Sequence, residues 1–135
     1  MTSREQRQYD WTFRGFETPV GNRPVRDWIN ALSEEARDEL VDILIYMKFR
    51  PHNEWAPEHF KPLEDGISEI RFRDGGSVCR MYGYFGPQWF VQSYTFLVGA
   101  EKKVKNDRDS KKLAKSRRDQ VERREARVHV FSFQE

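Results

Sequence analysis

Residues 67–82 read ISEIRFRDGGSVCRMY, and this stretch decides the fold. Apolar and polar residues alternate on both sides of Gly75-Gly76, which is typical of two strands joined by a two-residue hairpin loop. With that loop, residues whose numbers sum to 151 face each other. One face of the hairpin is then apolar, and its opposed pairs are Phe72 with Cys79 and Ile70 with Met81. A slip of one residue would turn these side chains to the wrong face, so the pattern and the turn agree on the register.

The other face of the predicted hairpin is charged. It places Arg71 opposite Arg80, beside a pair formed by Glu69 and Tyr82. Like charges directly opposed across two strands destabilise a sheet, so this arrangement points to a compensating role. A bound phosphate would be held between two guanidinium groups, whose shape suits it. The alternative is an ordinary surface network, in which Glu69 and nearby acidic residues neutralise both arginines.

Further strands are predicted outward from this hairpin. Alternation of apolar and polar residues indicates five strands in all, at 10–17, 67–73, 77–84, 89–97 and 128–134. Strands 67–73, 77–84 and 89–97 are predicted to be sequential and antiparallel, and Gly86-Pro87 is the turn between the second and third of them. Residues 51–66 contain three prolines and predict an irregular connection.

Two helices are predicted before the hairpin and one after it. Pro24 suits the first turn of a short helix, and Ser33 suits the cap of a longer one that Pro51 ends. The longer helix has an apolar stripe at helical spacing, formed by Ala36, Leu40, Ile43, Leu44 and Met47. Residues 105–127 predict a polar third helix.

These elements predict an α+β fold. The order is β-α-α-β-β-β-α-β, with a helical hairpin packed on a mostly antiparallel sheet. A length of 135 residues fits a single domain over 1–135, and residues 1–9 are expected to be frayed.

Composition argues against several classes of protein. No apolar run approaches the ~18 residues of a membrane span, and the first residues lack the apolar core of a signal peptide. We therefore expect a cytoplasmic protein without a membrane partner. One cysteine, Cys79, and three scattered histidines give no cluster at metal-ligand spacing, and the common nucleotide-binding and hydrolase motifs are missing. Neither a metal nor a cofactor is expected.

The formal net charge of +2 hides an uneven distribution of charge. Residues 1–100 contain 12 basic and 15 acidic residues, whereas 101–127 contain 12 basic and 6 acidic residues. Such a basic segment is either a solvated helix or a surface for a polyanion such as RNA, which it would bind in a salt-sensitive manner.

Basic residues flank the hairpin on both sides. His59 and Lys61 precede it, and a group of lysines follows the third antiparallel strand at Lys102, Lys103 and Lys105. Arginine and lysine without metal ligands suit a site that binds a phosphodiester and stabilises its transition state. RNA supplies its own nucleophile in the 2′-hydroxyl. Such a site then needs a proton acceptor, for which the sequence offers His59, a perturbed lysine or Tyr82.

Other residues are assigned by their position in the pattern. Arg73 lies on the polar face of the hairpin and is predicted to contact RNA, and Trp55 is a candidate for stacking on a base. The remaining tryptophans Trp11, Trp28 and Trp89 are expected in the core. Cys79 is expected to be an inert buried thiol.

The sequence resembles the HigB/RelE-like toxins of bacterial toxin–antitoxin systems, in particular the branch of phage-derived host-inhibition proteins. The resemblance spans about residues 25–118. It rests on the pattern Lys-x-Leu…Gly-[Leu/Ile]-x-Glu-[Leu/Ile]-Arg from Lys61 to Arg71, on Arg80 in the following strand, and on Lys102-Lys103 before a basic helix. It implies the small RelE-type fold and a ribosome-dependent endoribonuclease that cleaves mRNA. It also implies a cognate antitoxin, commonly one with a helix-turn-helix DNA-binding domain.

Residue by residue, the resemblance implies phosphate contact or catalysis for Lys61, Arg71, Arg80, Lys102 and Lys103, and it includes His59. Two features depart from the family pattern. Residues 97–101 separate the third antiparallel strand from the lysines, which questions their reach, and the strand at 128–134 is an addition expected to complete the sheet. The leading hypothesis is a toxin that cleaves mRNA and inhibits translation. The alternative is a catalytically silent RNA- or protein-binding member of the same fold.

Overall fold

The computed structural model of the chain describes residues 9–102 and 107–132, and for Lys102 it describes the backbone alone. Within these ranges the helices are α1 (Pro24–Asn30), α2 (Glu34–Lys48) and α3 (Arg108–Glu122). The strands are β1 (Thr12–Glu17), β2 (Phe60–Pro62), β3 (Ser68–Asp74), β4 (Ser77–Phe85), β5 (Ser93–Lys102) and β6 (Arg127–Val130). A short 3₁₀ helix, His52–Glu54, follows α2. The predicted α+β fold is confirmed.

One six-stranded sheet organises the chain, in the order β2-β3-β4-β5-β1-β6. Neighbouring strands are antiparallel except β1 and β5, which are parallel. The first strand of the sequence, β1, therefore lies between β5 and β6, which come late in the sequence. The last strand, β6, pairs with β1 and completes the sheet, as expected for the additional C-terminal strand.

The β3–β4 hairpin has the predicted register. Asp74 pairs with Ser77 around the two-residue loop, and Gly75 has a left-handed backbone (φ 61°), which glycine adopts without a steric cost. The predicted cross-strand pairs are all present, namely Phe72 with Cys79, Ile70 with Met81, Arg71 with Arg80, Glu69 with Tyr82 and Arg73 with Val78. The hairpin thus has an apolar face and a polar face, as its alternation predicts.

Helices cover both faces of the sheet. The side chain of Ser33 accepts a hydrogen bond from the Ala36 amide at 3.1 Å and caps α2, as predicted. The predicted stripe of α2 is buried, and it packs with the apolar face of the β3–β4 hairpin. On the opposite face, Ala114 and Val121 of α3 pack with Tyr82 and other residues of β4 and β5. The polar face of the hairpin therefore shares its side of the sheet with α3.

The last antiparallel strand differs from its prediction. It spans 93–102 rather than 89–97. Residues 97–101, predicted from the sequence to be an insertion before the lysines, are therefore part of the strand. β5 lies inside the sheet and is covered on both faces, so consecutive residues such as Phe96, Leu97 and Val98 are all buried and the two-residue alternation is lost. Trp89 lies in the loop before β5 and is 42% exposed, which corrects its assignment to the core. Trp11 is buried as expected.

A second difference lies in the segment predicted to be irregular. Residues 60–62 form β2, which pairs with β3 at one edge of the sheet. Pro62 is tolerated there because an edge strand needs hydrogen bonds on one side only. This strand is three residues long, so it leaves too short a pattern to read from the sequence. Among the described residues, no helix has the length and apolar character needed to cross a membrane.

The close contact between Gly99 and Trp28 gives a test of the packing. A Cβ atom at Gly99 would lie 2.3 Å from Cε3 of Trp28, whereas one at Gly76 would have no atom within 4 Å. Gly99→Ala is expected to lower the free energy of unfolding by about 1–3 kcal/mol, because the indole or the strand must shift. Urea unfolding of this variant beside Gly76→Ala measures the difference. Equal unfolding midpoints for the two variants would contradict the packing described.

Candidate functional site

The candidate site is built around two opposed arginines. Arg71 on β3 and Arg80 on β4 are direct cross-strand partners, as predicted. Their side chains are partly buried, with 31% and 21% of the surface exposed. Both guanidinium groups are therefore held on the sheet while part of each remains accessible to a ligand.

Glu69 lies between the two arginines. Its residue is 2% exposed, its Oε1 lies 3.1 Å from Arg71 Nε, and its Oε2 accepts a hydrogen bond from Arg80 Nη1 at 3.3 Å. This contact with both arginines is the one expected of a neutralising network. Glu69 is, however, the only salt-bridge partner of either arginine in the described part of the chain. One carboxylate faces two guanidinium groups, so the cluster keeps a net positive charge.

The two arginines also have unmet hydrogen-bonding capacity. The Nε atoms of Arg71 and Arg80 are buried and have no hydrogen-bond acceptor among the described residues. The 3.1 Å contact between Arg71 Nε and Glu69 is an ion pair that lacks hydrogen-bond alignment. Buried donors of this kind are rare in folded proteins and are often explained by a ligand or an ordered water.

Tyr82 lies on β4, two residues after Arg80, but its side chain is buried. It pairs with Glu69 across the hairpin and is 1% exposed in the core that α3 covers. Burial raises the pKa of Tyr82 to about 12, with a further contribution from the carboxylate of Asp107, the N-cap residue of α3. The phenol is therefore protonated near pH 7.

Lys61 and His59 reach the same edge of the sheet through β2. Lys61 is exposed and pairs with Glu69, so it extends the row that contains Glu69 and Tyr82. His59 accepts a backbone hydrogen bond from Arg71 at 2.8 Å, and its Nδ1 lies 3.2 Å from the Arg71 carbonyl oxygen. Because a carbonyl only accepts, Nδ1 donates in this contact. His59 is thus held beside Arg71, and its Nε2 lies 4.0 Å from the Glu58 carboxylate.

The remaining predicted residues are distributed differently. Arg73 is exposed near the hairpin turn, and its amide donates to Glu39 at 3.2 Å. The backbone of Lys102 pairs with Val78, the partner of Arg73, so the strand carries this lysine to the same end of the hairpin. Lys103 and Lys105 lie outside the described residues.

Trp55 corrects the prediction that it stacks on a base. It is 4% exposed and packs in the core with Trp11, Phe60 and Phe85, at ring centroid distances of 5.0–5.5 Å. Its indole nitrogen donates to the Met47 carbonyl at 2.9 Å. Both faces of the ring are committed to the protein interior, because the neighbouring loop folds back onto the end of α2.

The sequence shows that the segment containing α3 is basic, but it does not show which of its basic side chains lie together on the surface. The N-terminal half of α3 forms a basic cleft with the loop after β2, lined by Glu64, Arg108, Lys111, Lys112 and Lys115. Other basic side chains of the helix have structural partners: Arg117 donates to the Leu97 carbonyl at 2.7 Å, and Arg118 donates to the Asp65 carbonyl. Some basic residues of α3 therefore attach the helix to the rest of the protein. Those of the cleft line a surface on the same side of the sheet as Arg71 and Arg80.

A set of possible metal ligands lies away from these residues. Among the described residues, Asp74, Cys79 and Glu101 are the group whose ligand atoms come within 4.8 Å of one another. Cys79 lies on the apolar face of the hairpin, opposite the face of the two arginines. Burial raises the pKa of the Cys79 thiol to about 11, with contributions from Asp74 and Glu101. At neutral pH it is a protonated, buried thiol.

Comparison with protein families places this arrangement in a known group. The sequence profile described as phage-derived protein Gp49-like (DUF891) matches residues 27–119. This match covers more than half of the chain and includes the two arginines, Lys61 and the basic half of α3. No curated protein matches the chain. The chain therefore belongs to the Gp49-like family of phage-derived proteins, a RelE/HigB-like toxin family of toxin–antitoxin systems.

Proposed function

We propose that this protein is the toxin of a type II toxin–antitoxin system and an endoribonuclease that cleaves mRNA on the ribosome. The observation that carries this proposal is the opposed pair Arg71 and Arg80, held by one shared carboxylate and left with a net positive charge. Two guanidinium groups fixed side by side suit the non-bridging oxygens of a phosphodiester. Assignment to the HigB branch, action in the cytoplasm and an antitoxin with a helix-turn-helix domain belong to the same proposal.

The chemistry proposed is intramolecular cleavage of RNA. The 2′-oxygen attacks the adjacent phosphorus, the bond from phosphorus to the 5′-oxygen breaks, and a 2′,3′-cyclic phosphate remains. Arg71 and Arg80 stabilise the additional negative charge of the transition state. His59 Nε2 accepts the proton of the 2′-hydroxyl, and the ammonium of Lys61 provides a proton for the leaving 5′-oxygen.

Glu69 acts as a positioning residue in this mechanism. Both of its carboxylate oxygens contact the arginines, so it is poorly placed to accept the proton of the 2′-hydroxyl. It limits the repulsion between the arginines when no RNA is bound and holds both of them in contact with one side chain. The basic cleft at α3 extends the positive surface and supports contacts to the RNA backbone of mRNA or ribosome.

Removal of either arginine tests the proposed site. Arg71→Ala and Arg80→Ala are expected to lower the rate of mRNA cleavage by about 100-fold or more, because each removes a group that stabilises the transition state. The measurement is cleavage of end-labelled mRNA with and without programmed ribosomes, together with growth after induction. Arg123→Ala is the matched control, since this exposed arginine has only Glu125 as a salt-bridge partner among the described residues.

Two results would contradict the proposal. Unchanged cleavage by both variants would remove the arginines from the site. Binding of the unsubstituted chain to ribosomes without any cleavage would instead support the silent binding member of the fold.

Loss of the shared carboxylate tests the charge balance. Glu69→Gln is expected to lower the free energy of unfolding by roughly 1–3 kcal/mol, less than for a fully buried ion pair because both arginines are partly exposed. Inorganic phosphate is expected to raise the melting temperature of this variant more than that of the unsubstituted chain, since the anion then replaces the missing counter-charge. Thermal unfolding in phosphate and in chloride at equal ionic strength measures the effect. Glu125→Gln is the control, and an equal phosphate response in all three proteins would count against an anion site.

A further inference from the structure

An exposed apolar patch lies at the opposite end of the sheet from the arginine pair. Its aromatic residues Trp89 and Phe90 are adjacent in the loop before β5, and their ring centroids are 6.3 Å apart. Val91 and Val130 are 87% and 64% exposed. Large side chains exposed singly need no explanation, but a contiguous group of this kind marks an interaction surface.

Two arginines cover the aromatic rings of this patch. The guanidinium carbon of Arg14 lies 3.7 Å from the ring centroid of Phe90, and that of Arg124 lies 4.0 Å from the ring centroid of Trp89. Arg14 is also the cross-strand partner of Val130, which links the loop to β6. We name these six residues the aromatic–arginine patch: Arg14, Trp89, Phe90, Val91, Arg124 and Val130.

The charge of the patch is uncompensated. In the part of the chain that the structure describes, neither Arg14 nor Arg124 forms a salt bridge, although Arg14 donates a hydrogen bond to Ser93 at 3.2 Å. Burial lowers the pKa of Arg14, which reflects the cost of holding its charge away from water. A carboxylate from a partner would offset that cost.

The adjoining strand offers backbone groups for pairing. β6 is the terminal strand of the described sheet, and Phe131 donates to Phe13 at 2.8 Å on the side of β1. Alternation along an antiparallel strand then directs the backbone groups of Val128 and Val130 away from β1. Within the described residues these groups have no strand partner, although the Val130 carbonyl lies 3.3 Å from His129 Nδ1. A sheet edge of this kind accepts an extended peptide as an additional strand.

We propose that the aromatic–arginine patch and the outer edge of β6 bind an extended, acidic and apolar segment of the antitoxin, an inference that rests on the proposed toxin function. Apolar residues of the segment contact Trp89, Phe90 and the two valines, and its carboxylates pair with Arg14 and Arg124. Aromatic and arginine side chains of this type are the usual hot spots of protein interfaces.

A protein segment fits this surface better than RNA or a second copy of the chain. The valines make no stacking or hydrogen-bonding contact with a nucleotide, and one face of each aromatic ring is already covered by a guanidinium group. A second copy would bring two further arginines to the same place, and these would repel the first pair. A protein segment with both acidic and apolar residues complements the two arginines and the apolar side chains of the patch.

The patch is separate from the candidate active site. Along β4, Arg80 and Phe85 are five residues apart, which is about 16 Å in a strand. The patch lies beyond that end, in the loop that follows Phe85. Substitutions there are therefore expected to change antitoxin binding without changing RNA cleavage.

The test measures binding of the cognate antitoxin. Calorimetry uses a parent chain that carries Arg71→Ala, because the loss of toxicity allows the protein to be produced. Two variants are made from this parent: the double variant Trp89→Ser with Phe90→Ser, and Arg124→Glu. The aromatic double variant is expected to bind about 30-fold more weakly or worse, the loss typical of a hot spot. Arg124→Glu is expected to lose about tenfold. Ile45→Ser and Arg123→Glu, which alter other exposed residues, are matched controls and are expected to bind within about threefold of the parent.

A second measurement separates this inference from the proposed function. With the arginine pair intact, the patch variants are expected to arrest growth and cleave mRNA as the unsubstituted chain does, but to escape rescue by the antitoxin. If the unsubstituted chain arrests no growth, the toxin proposal fails, while the calorimetry still decides the patch.

Unchanged antitoxin affinity in the aromatic variant and in Arg124→Glu would overturn the inference. So would a loss of ribosome binding with antitoxin affinity unchanged, because the patch would then be a nucleic-acid surface. Urea unfolding of every variant checks the fold, and Arg124→Glu keeps the inference falsifiable if the aromatic variant does not fold.

Discussion

The register of the β3–β4 hairpin is the constraint on which the rest of the structure depends. It puts Ile70 and Phe72 on the side of α1 and α2 and the charged residues on the side of α3. A shift by one residue would bury guanidinium groups against the apolar stripe of α2. The free energy needed to bury these charges would exceed the stability of a small domain. The same register brings Lys61 into line with Glu69 through β2. Core packing and the charged site are therefore fixed by one turn.

Charge on the α3 side of the sheet is compensated in some places and left unbalanced in others. Arg117 and Arg118 are used to attach α3 to the backbone of the sheet and of the loop after β2. Arg71 and Arg80 share one carboxylate between them. The first two arginines contribute to stability, whereas the second two retain charge that an anion can use. Counting basic residues in the sequence does not separate these roles, since the separation depends on which carbonyls and carboxylates fold against each side chain.

Much of the fold and the centre of the site follow from local sequence pattern. The hairpin register, the α2 stripe and the Arg71–Arg80 pair were predictable because a turn and a strict alternation fix them over a few residues. β2 and the start of β5 were not, because one is three residues long and the other is buried on both faces.

The tryptophans show a different limit. Trp55 and Trp89 both lie in loops, and nothing in their sequence neighbourhood distinguishes the buried indole from the exposed one. Their burial is decided by residues distant in the chain, such as Phe85 against Trp55 and Arg124 against Trp89. The cleft at α3 is of the same kind, because it needs the loop after β2 to face the helix.

The position of β1 in the sheet has a consequence for when the protein becomes functional. β1 is made first, yet Thr12 pairs with Ser93 and Gly15 pairs with His129. These non-local contacts close only after His129 has been synthesised, and contacts of this kind slow folding. A nascent chain that still lacks β6 therefore has β1 paired on one side at most. The sheet on which the arginine pair lies is complete only once β6 has been made.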